Sequence, residues 1–339
     1  MQSLALVLTA IAVLGMTAQA ILSKHLMNVK AFTEKELIVA KCGIATVACL
    51  LTYLFTGDWW NSLAPEKTDS TMWWVALAIT TAANIPIQLG NIRARRYADL
   101  SFVAPISAMT PGLVVLSALL IGESPGTLGI LGITLIVVGT YVHAREGTSW
   151  REYFMPLLFW LSFRNIDDLP ADEQRKLRGL RWAYAAALFS TIALLGDGLV
   201  ARHGNVILAV TIELAVLTLV YLIALPKQVK DEGAFALWDV RRRAKGFLLG
   251  LFGITFAIPF ITLGIAFRLA PIAEIGSLKR LSIVLTVIGG AWLLSEKSGV
   301  RRTLLASVIV AGAILIAFDP TPGVVLNSFD AYVARVLGR

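Results

Sequence analysis

Two adjacent cations, Lys279 and Arg280, open an otherwise apolar stretch, GSLKRLSIVLTVIGGAWLLSE (276–296). A guanidinium offers a planar fork to an oxyanion, and an ammonium offers a compact point charge. The chemistry such a pair suits is the binding of an anion, best a phosphate or a carboxylate. Ser282 and Thr286 follow at three and seven residues from Lys279, which puts them on the same helical face. The apolar run left after the pair, 281–295, holds only 15 residues. That is too few to cross a bilayer core of about 30 Å. The spacing therefore predicts a helix that begins before the pair and carries both cations about two turns inside it. An ionisable group at the bilayer centre costs about 2.5–3.5 kcal/mol on insertion scales and marks function by default. The competing reading is an internal ion pair with Glu274, Asp197 or Glu213.

A second group of candidates lies earlier. Asn84, Gln88, Asn91 and Arg95 recur at helical spacing, so the amides share one face. Amides in lipid need partners, which makes Asn84 and Gln88 either substrate ligands or interhelical glue. Lys41 and Glu213 each lie about one turn inside an apolar run. Lys24 and Asp197 lie near the ends of two others. Glu274, Glu213, Asp197 and Lys24 are the candidate coupling or counter-ion groups. Glu123 and Glu296 precede short turns and read as structural caps. The sequence has no Gly-x-x-x-x-Gly-Lys loop, no His-Glu-x-x-His and no Cys/His cluster. No enzyme activity, cofactor or metal is therefore expected. Cys42 and Cys49 are about 10.5 Å apart along a helix, too far for a disulfide.

The elements that must position these residues are membrane helices. The 339-residue chain is 57% hydrophobic and 15% charged. Ordinary soluble domains are about 25% charged. The net charge of +8 fits basic membrane loops better than nucleic-acid binding. Apolar runs near 3–24, 37–56, 72–92, 98–121, 126–143, 182–201, 206–225, 246–267, 271–295 and 300–318 predict ten spans. The first reads as a spanning helix and not a removed signal peptide. Segment 144–181 reads as an interfacial connector, and 319–339 as an amphipathic tail.

Shifted by 173 positions, the chain matches itself. Pro86 meets Pro259, Arg95 meets Arg268, Glu123 meets Glu296, Gly139 meets Gly312, and Lys24 falls on Asp197. The expected organisation is a first five-helix half, 1–143, and a second, 182–318. Five is odd, so the second half enters the membrane inverted. Such inversion is a recurrent plan of secondary transporters, with the site where the halves meet.

The stretch RYADLSFVAPISAMTPGLVVLSALLIGESPGTLGILGITLIVVGTYV (96–142) resembles the fourth and fifth helices of an EamA domain of the drug/metabolite transporter superfamily. The carrying residues are the small and proline residues of the fourth helix, Gly122-Glu123, Gly132 and Gly139. LLSEKSGVRRTLLASVIVAGAILIA (293–317) repeats the ending. The resemblance implies an all-α polytopic membrane protein of ten helices, as two inverted repeats around a central cavity. Lys279 and Arg280 also resemble the Lys-Arg of the ninth helix in triose-phosphate/phosphate translocators, where the pair binds the substrate's phosphate. The expected function is secondary transport of a small organic anion, with phosphorylated metabolites among the candidates, by alternating access. Substrate-binding residues would be Lys279, Arg280, Ser282, Thr286, Asn84, Gln88 and Lys41. The alternatives are a flippase or exporter of a phosphorylated lipid or other amphipath, and drug or metabolite efflux. The expected partners are an anionic small molecule and the lipid bilayer, with no nucleic acid. The expected setting is a monomer or homodimer in a bacterial or archaeal inner membrane. Loops after the odd-numbered spans hold 22 Lys and Arg, and the opposite loops with the tail hold five. The positive-inside rule then puts both termini outside, whereas the superfamily resemblance implies termini inside.

Overall fold

The computed structural model describes residues 2–28, 32–62, 70–110, 113, 126–144, 171–225, 240–269, 278–294 and 299–318. Among the described residues the fold is all-helical, with no strand. The helices are α1 (Gln2–Asn28), α2 (Glu34–Ser62), α3 (Ser70–Tyr97), α4 (Leu100–Val103), α5 (Thr127–Ala144), α6 (Ala171–His203), α7 (Val206–Ile223), α8 (Val240–Leu269), α9 (Leu281–Leu293) and α10 (Gly299–Ala317). A 3-10 helix, Ala104–Met109, continues directly from α4. Local chemistry sets several starts. Thr33 and Glu36 close a capping box at α2. The Thr33 amide donates to Glu36 Oε2 at 2.6 Å, and the Glu36 amide donates to Thr33 Oγ1 at 3.3 Å. Asn205 caps α7 by accepting from the Leu208 amide at 3.1 Å, which satisfies one of the helix's free donors.

Among the described residues, six helices contain stretches long and apolar enough to cross a membrane: Ser3–Met27, Glu34–Phe55, Thr71–Tyr97, Gln174–Asp197, Val206–Ile223 and Gly246–Ala266. Large apolar side chains point outward along them, Leu14, Leu54 and Phe55 among others, while Lys41 and Glu213 are buried. Outward apolar surface around buried charge reverses the soluble pattern and is compatible with an integral membrane protein.

The chain forms two compact units, and each draws on both sequence halves. The first comprises Met1–Ile92 and Ile192–Ile275; the second comprises Arg93–Thr191 and Gly276–Arg339. In the first, α2 turns Leu37, Ile38, Cys42, Ala45 and Cys49 inward against Leu214, Leu217 and Tyr221 of α7 and Phe252 of α8. Their helical spacing is what makes one apolar face. Both cysteines are buried and free. The α2–α7 pair is antiparallel: Lys35 Nζ donates to the Ala224 carbonyl, and Gly43 faces Thr218. Ala5 and Ala12 of α1 pack with Leu263 and Ala266 of α8, and Gly15 admits the Pro259 ring, so this pair is antiparallel too. In the second unit, α5 and α10 approach backbone to backbone. A Cβ on Gly132 would sit 2.5 Å from the Gly312 carbonyl oxygen, and one on Gly312 would sit 2.7 Å from that of Gly132. Ile136, Ile283, Ile309, Val310, Ala313 and Ile316 complete the adjoining core.

Three expectations change. The ninth helix does not run regularly through the cation pair. Arg280 is the N-cap of α9, and Lys279 lies in the turn before it. The amides of Ser282 and Ile283 bond to carbonyls three residues back, at 3.2 and 2.9 Å. The chain therefore enters α9 through a tight turn. The described α9 has 13 residues. At the helical rise that is a length of about 20 Å. Second, α6 begins at Ala171, well inside the expected connector. A helix rich in charge at its start gives no apolar signal, which hides those first turns. Third, α4 breaks after one turn into the 3-10 helix at Pro105, because proline has no amide hydrogen to continue the ladder. Beyond Met109 the expected fourth span is described only at Thr110 and Leu113, and the tail, Glu123, Glu274 and Glu296 lie outside the described residues.

Candidate functional site

The predicted residues that are described fall into two groups, one in each compact unit. In the first unit α3 supplies the organising face. Gln88 is buried, and its Oε1 accepts a hydrogen bond from Lys41 Nζ of α2. The same ammonium lies 4.6 Å from the centroid of the Phe256 ring of α8, within cation–π range. Lys41 is only 2% exposed. It lies on the α2 face that carries Leu37 and Ala45, which is why the fold draws it inward.

One turn away on α3, Asn84 serves a different group. Its Nδ2 donates to the Thr80 carbonyl at 3.2 Å and lies 3.5 Å from Thr80 Oγ1. The Thr80 hydroxyl is 2.6 Å from Asp197 Oδ1 of α6 and 3.3 Å from the Ala193 carbonyl. The shorter contact is the stronger, so the hydroxyl donates to the carboxylate. Glu213 of α7, 4% exposed, lies within electrostatic reach of Asp197. Lys24 is also buried in this unit. Asn84 and Gln88 therefore share a face but not a partner: one supports an acid, the other a base.

In the second unit the focus is Arg280. One guanidinium nitrogen donates to the Ser107 carbonyl of the 3-10 helix at 3.3 Å. Its Nε is buried and has no hydrogen-bond partner among the described residues. A guanidinium carries five donors, so one long bond leaves most of its capacity unused. Lys279 is half-buried beside it. Ser282 and Thr286 are buried, but the Ser282 hydroxyl donates back to the Lys279 carbonyl at 2.7 Å. The Ser282 hydroxyl thus braces the turn that presents the cations.

Spacing alone does not single out Thr80, Phe256, Ser107 or Arg302. Thr80 is within reach of the pattern, one turn before Asn84 on the same face. Phe256 carries no signal that separates it from other core aromatics. Arg302 counts as a loop charge in the sequence, yet it is buried in α10. Its Nη1 is 3.0 Å from Asp99 Oδ2 and 2.5 Å from Ser101 Oγ. The guanidinium also lies 5.7 Å from the Phe102 ring centroid. Among the described residues no three His, Cys, Asp or Glu are grouped so as to hold a metal ion.

The described fold is that of a helical protein with membrane-length apolar helices and charges buried within them. No protein-family model matches the chain, and no curated protein matches it. A solved crystal structure of a protein superposes with a TM-score of 0.55 at 16% sequence identity, covering 92% of this chain and 96% of that one. At that identity the likeness is one of fold alone.

Proposed function

We propose that the chain is a secondary transporter of a small organic anion, built as ten membrane helices in two inverted five-helix repeats, with Arg280 and Lys279 as its anion-binding cations. Arg280 carries this reading. It is a guanidinium drawn into the fold, with a buried Nε that no described residue satisfies. A buried donor without a partner is costly, and an oxyanion would satisfy it.

Counterpart contacts support the inverted arrangement. Arg280 bonds to Ser107, 173 residues earlier, the same offset that aligns the two halves. Gly139 packs on Ile309 and Gly312 on Ile136, a pair of contacts that the offset interchanges. Residues that touch their own counterparts lie beside the axis relating the halves, where inverted-repeat transporters place substrate.

The test is counterflow in proteoliposomes, with thermal shift on the purified protein, against inorganic phosphate, sugar phosphates, carboxylates and cationic drugs. The expected result is stabilisation and counterflow with an anion class, both lost in Arg280→Ala and weakened in Lys279→Ala. Response to cations alone, unchanged by either substitution, overturns the anion reading.

A further inference from the structure

The acid–base network of the first unit is not needed to bind an anion at Arg280, yet the fold buries Lys41, Gln88 and Glu213, leaves Asp197 exposed, and bonds most of the members. We propose that Glu213 is a proton-binding carboxyl that exchanges its proton with water during the transport cycle, with Asp197 as the fixed carboxylate beside it. The coupling role rests on the transporter reading; the proton binding does not.

The two acids differ in their surroundings. Asp197 is anchored: the Thr80 hydroxyl donates to it at 2.6 Å, and Asn84 holds Thr80 in place. A donor aimed at a carboxylate favours its charged form. Glu213 has no such support. It is 4% exposed in the middle of α7, and among the described residues no hydrogen bond holds its carboxyl. Burying a charge is costly unless it is paired and hydrogen-bonded. A second carboxylate within electrostatic reach adds repulsion. The neutral acid is the form that fits this place.

The remaining ionisable groups around Glu213 do not remove that pressure. From α2 come Lys41, already bonded to Gln88 and resting on Phe256, and Cys42, which lies within electrostatic reach of both Lys41 and Glu213. Glu34 and Glu36 lie at the start of α2, and Lys35 between them donates to the Ala224 carbonyl beyond the end of α7. From α6 comes Asp197, and from α1 come Lys24 and, at its end, His25. The stretches 70–92 of α3 and 246–266 of α8 carry no ionisable side chain. On α7 itself the other titratable group is Tyr221, whose hydroxyl donates to the Ile85 carbonyl at 2.5 Å. A conformation that admits water to α7 would let the Glu213 carboxyl release its proton to that water. Closure would require the proton back. No other bond is made or broken.

Infrared difference spectroscopy on the purified full-length protein reads the carbonyl band of a protonated carboxyl directly. Wild type should show such a band at neutral pH that disappears reversibly as pH is raised. Glu213→Gln should lack that component, Asp197→Asn should keep it, and Glu213→Asp should shift it without abolishing it. A band that is absent at neutral pH, unmoved by pH, or intact in Glu213→Gln overturns the proposal. In proteoliposomes loaded with inorganic phosphate or a carboxylate, Glu213→Gln should retain counterflow and lose accumulation driven by a pH gradient. Equal gradient-driven accumulation in wild type and Glu213→Gln overturns the coupling role. Absence of counterflow in wild type with every anion tried counts against the transporter reading and leaves the infrared result to decide the proton site.

Discussion

Arg280 and Arg302 lie in the same compact unit, each at the start of a helix, and each is drawn into the fold. Their partners separate them. Arg302 meets the Asp99 carboxylate, the Ser101 hydroxyl and the Phe102 ring, all from the turn that opens α4. Arg280 meets one backbone carbonyl at 3.3 Å and no described carboxylate; the Nε of both arginines is buried without a described hydrogen-bond partner. Burial alone does not distinguish a structural cation from a binding cation; a carboxylate already paired with it does. The first unit holds a similar contrast, since Lys41 has Gln88 and Phe256 while the Glu213 carboxyl has no described hydrogen bond.

The sharpest way to break the contrast is Arg302→Met. Removing one member of a fully buried ion pair costs about 3–5 kcal/mol. Asp99 is 45% exposed. Water can therefore take up part of the freed carboxylate's charge, and the expected loss falls to about 2 kcal/mol. Thermal unfolding should show that loss, while the folded fraction binds its anion with unchanged affinity. Arg280→Ala should do the reverse, losing the ligand-induced shift with little change in unliganded stability. If Arg302→Met abolishes anion binding in protein that is still folded, the two arginines are not separable in this way.

How much of this the sequence discloses follows from what a sequence encodes locally. Helices α1, α2 and α7 are readable because length and apolar composition are local properties. The capping box Thr33–Glu36 and the Asn205 cap are local as well. Arg302 escapes a sequence reading because its partner Asp99 lies 203 residues away and no short-range pattern links them. The entry into α9 escapes for another reason. The length requirement assumes one regular helix through Lys279 and Arg280, whereas the chain makes a tight turn there and starts α9 at Leu281. Adjacent charges correctly flag an unusual place, but the backbone solution to burying them is not in the pattern. Periodicity predicts the α3 face as a unit. Its division into an acid-supporting and a base-supporting residue depends on α6 and α2, which periodicity does not see.

A middle-sized effect sharpens the same contrast within the first unit. Gln88→Leu takes an acceptor from the buried Lys41 ammonium. Leaving such a group short of a partner costs about 1–3 kcal/mol. The lower end is expected because Phe256 still faces the charge and retains a cation–π attraction. Adding Lys41→Met to Gln88→Leu should recover much of the loss, since an apolar pair of similar shape leaves nothing unsatisfied. A double variant as unstable as the sum of the two singles would mean that the ammonium and amide do not work as a pair.

The smallest expected effect tests how Arg280 is held. The Ser282 hydroxyl donates to the Lys279 carbonyl at 2.7 Å, within the turn that also carries the Ser282 and Ile283 amide bonds. Ser282→Ala removes the side-chain bond and leaves the two backbone bonds. A loss of about 0.5 kcal/mol is expected, the low end for a single hydrogen bond. If the hydroxyl serves the turn, that loss appears as a slightly lower unfolding temperature and about a twofold weaker anion response. If Ser282 instead touches the anion, Ser282→Ala should weaken binding by about tenfold or more with stability unchanged. Thermal shift with and without saturating anion separates the two, because only the turn-holding role lowers the stability of the unliganded protein.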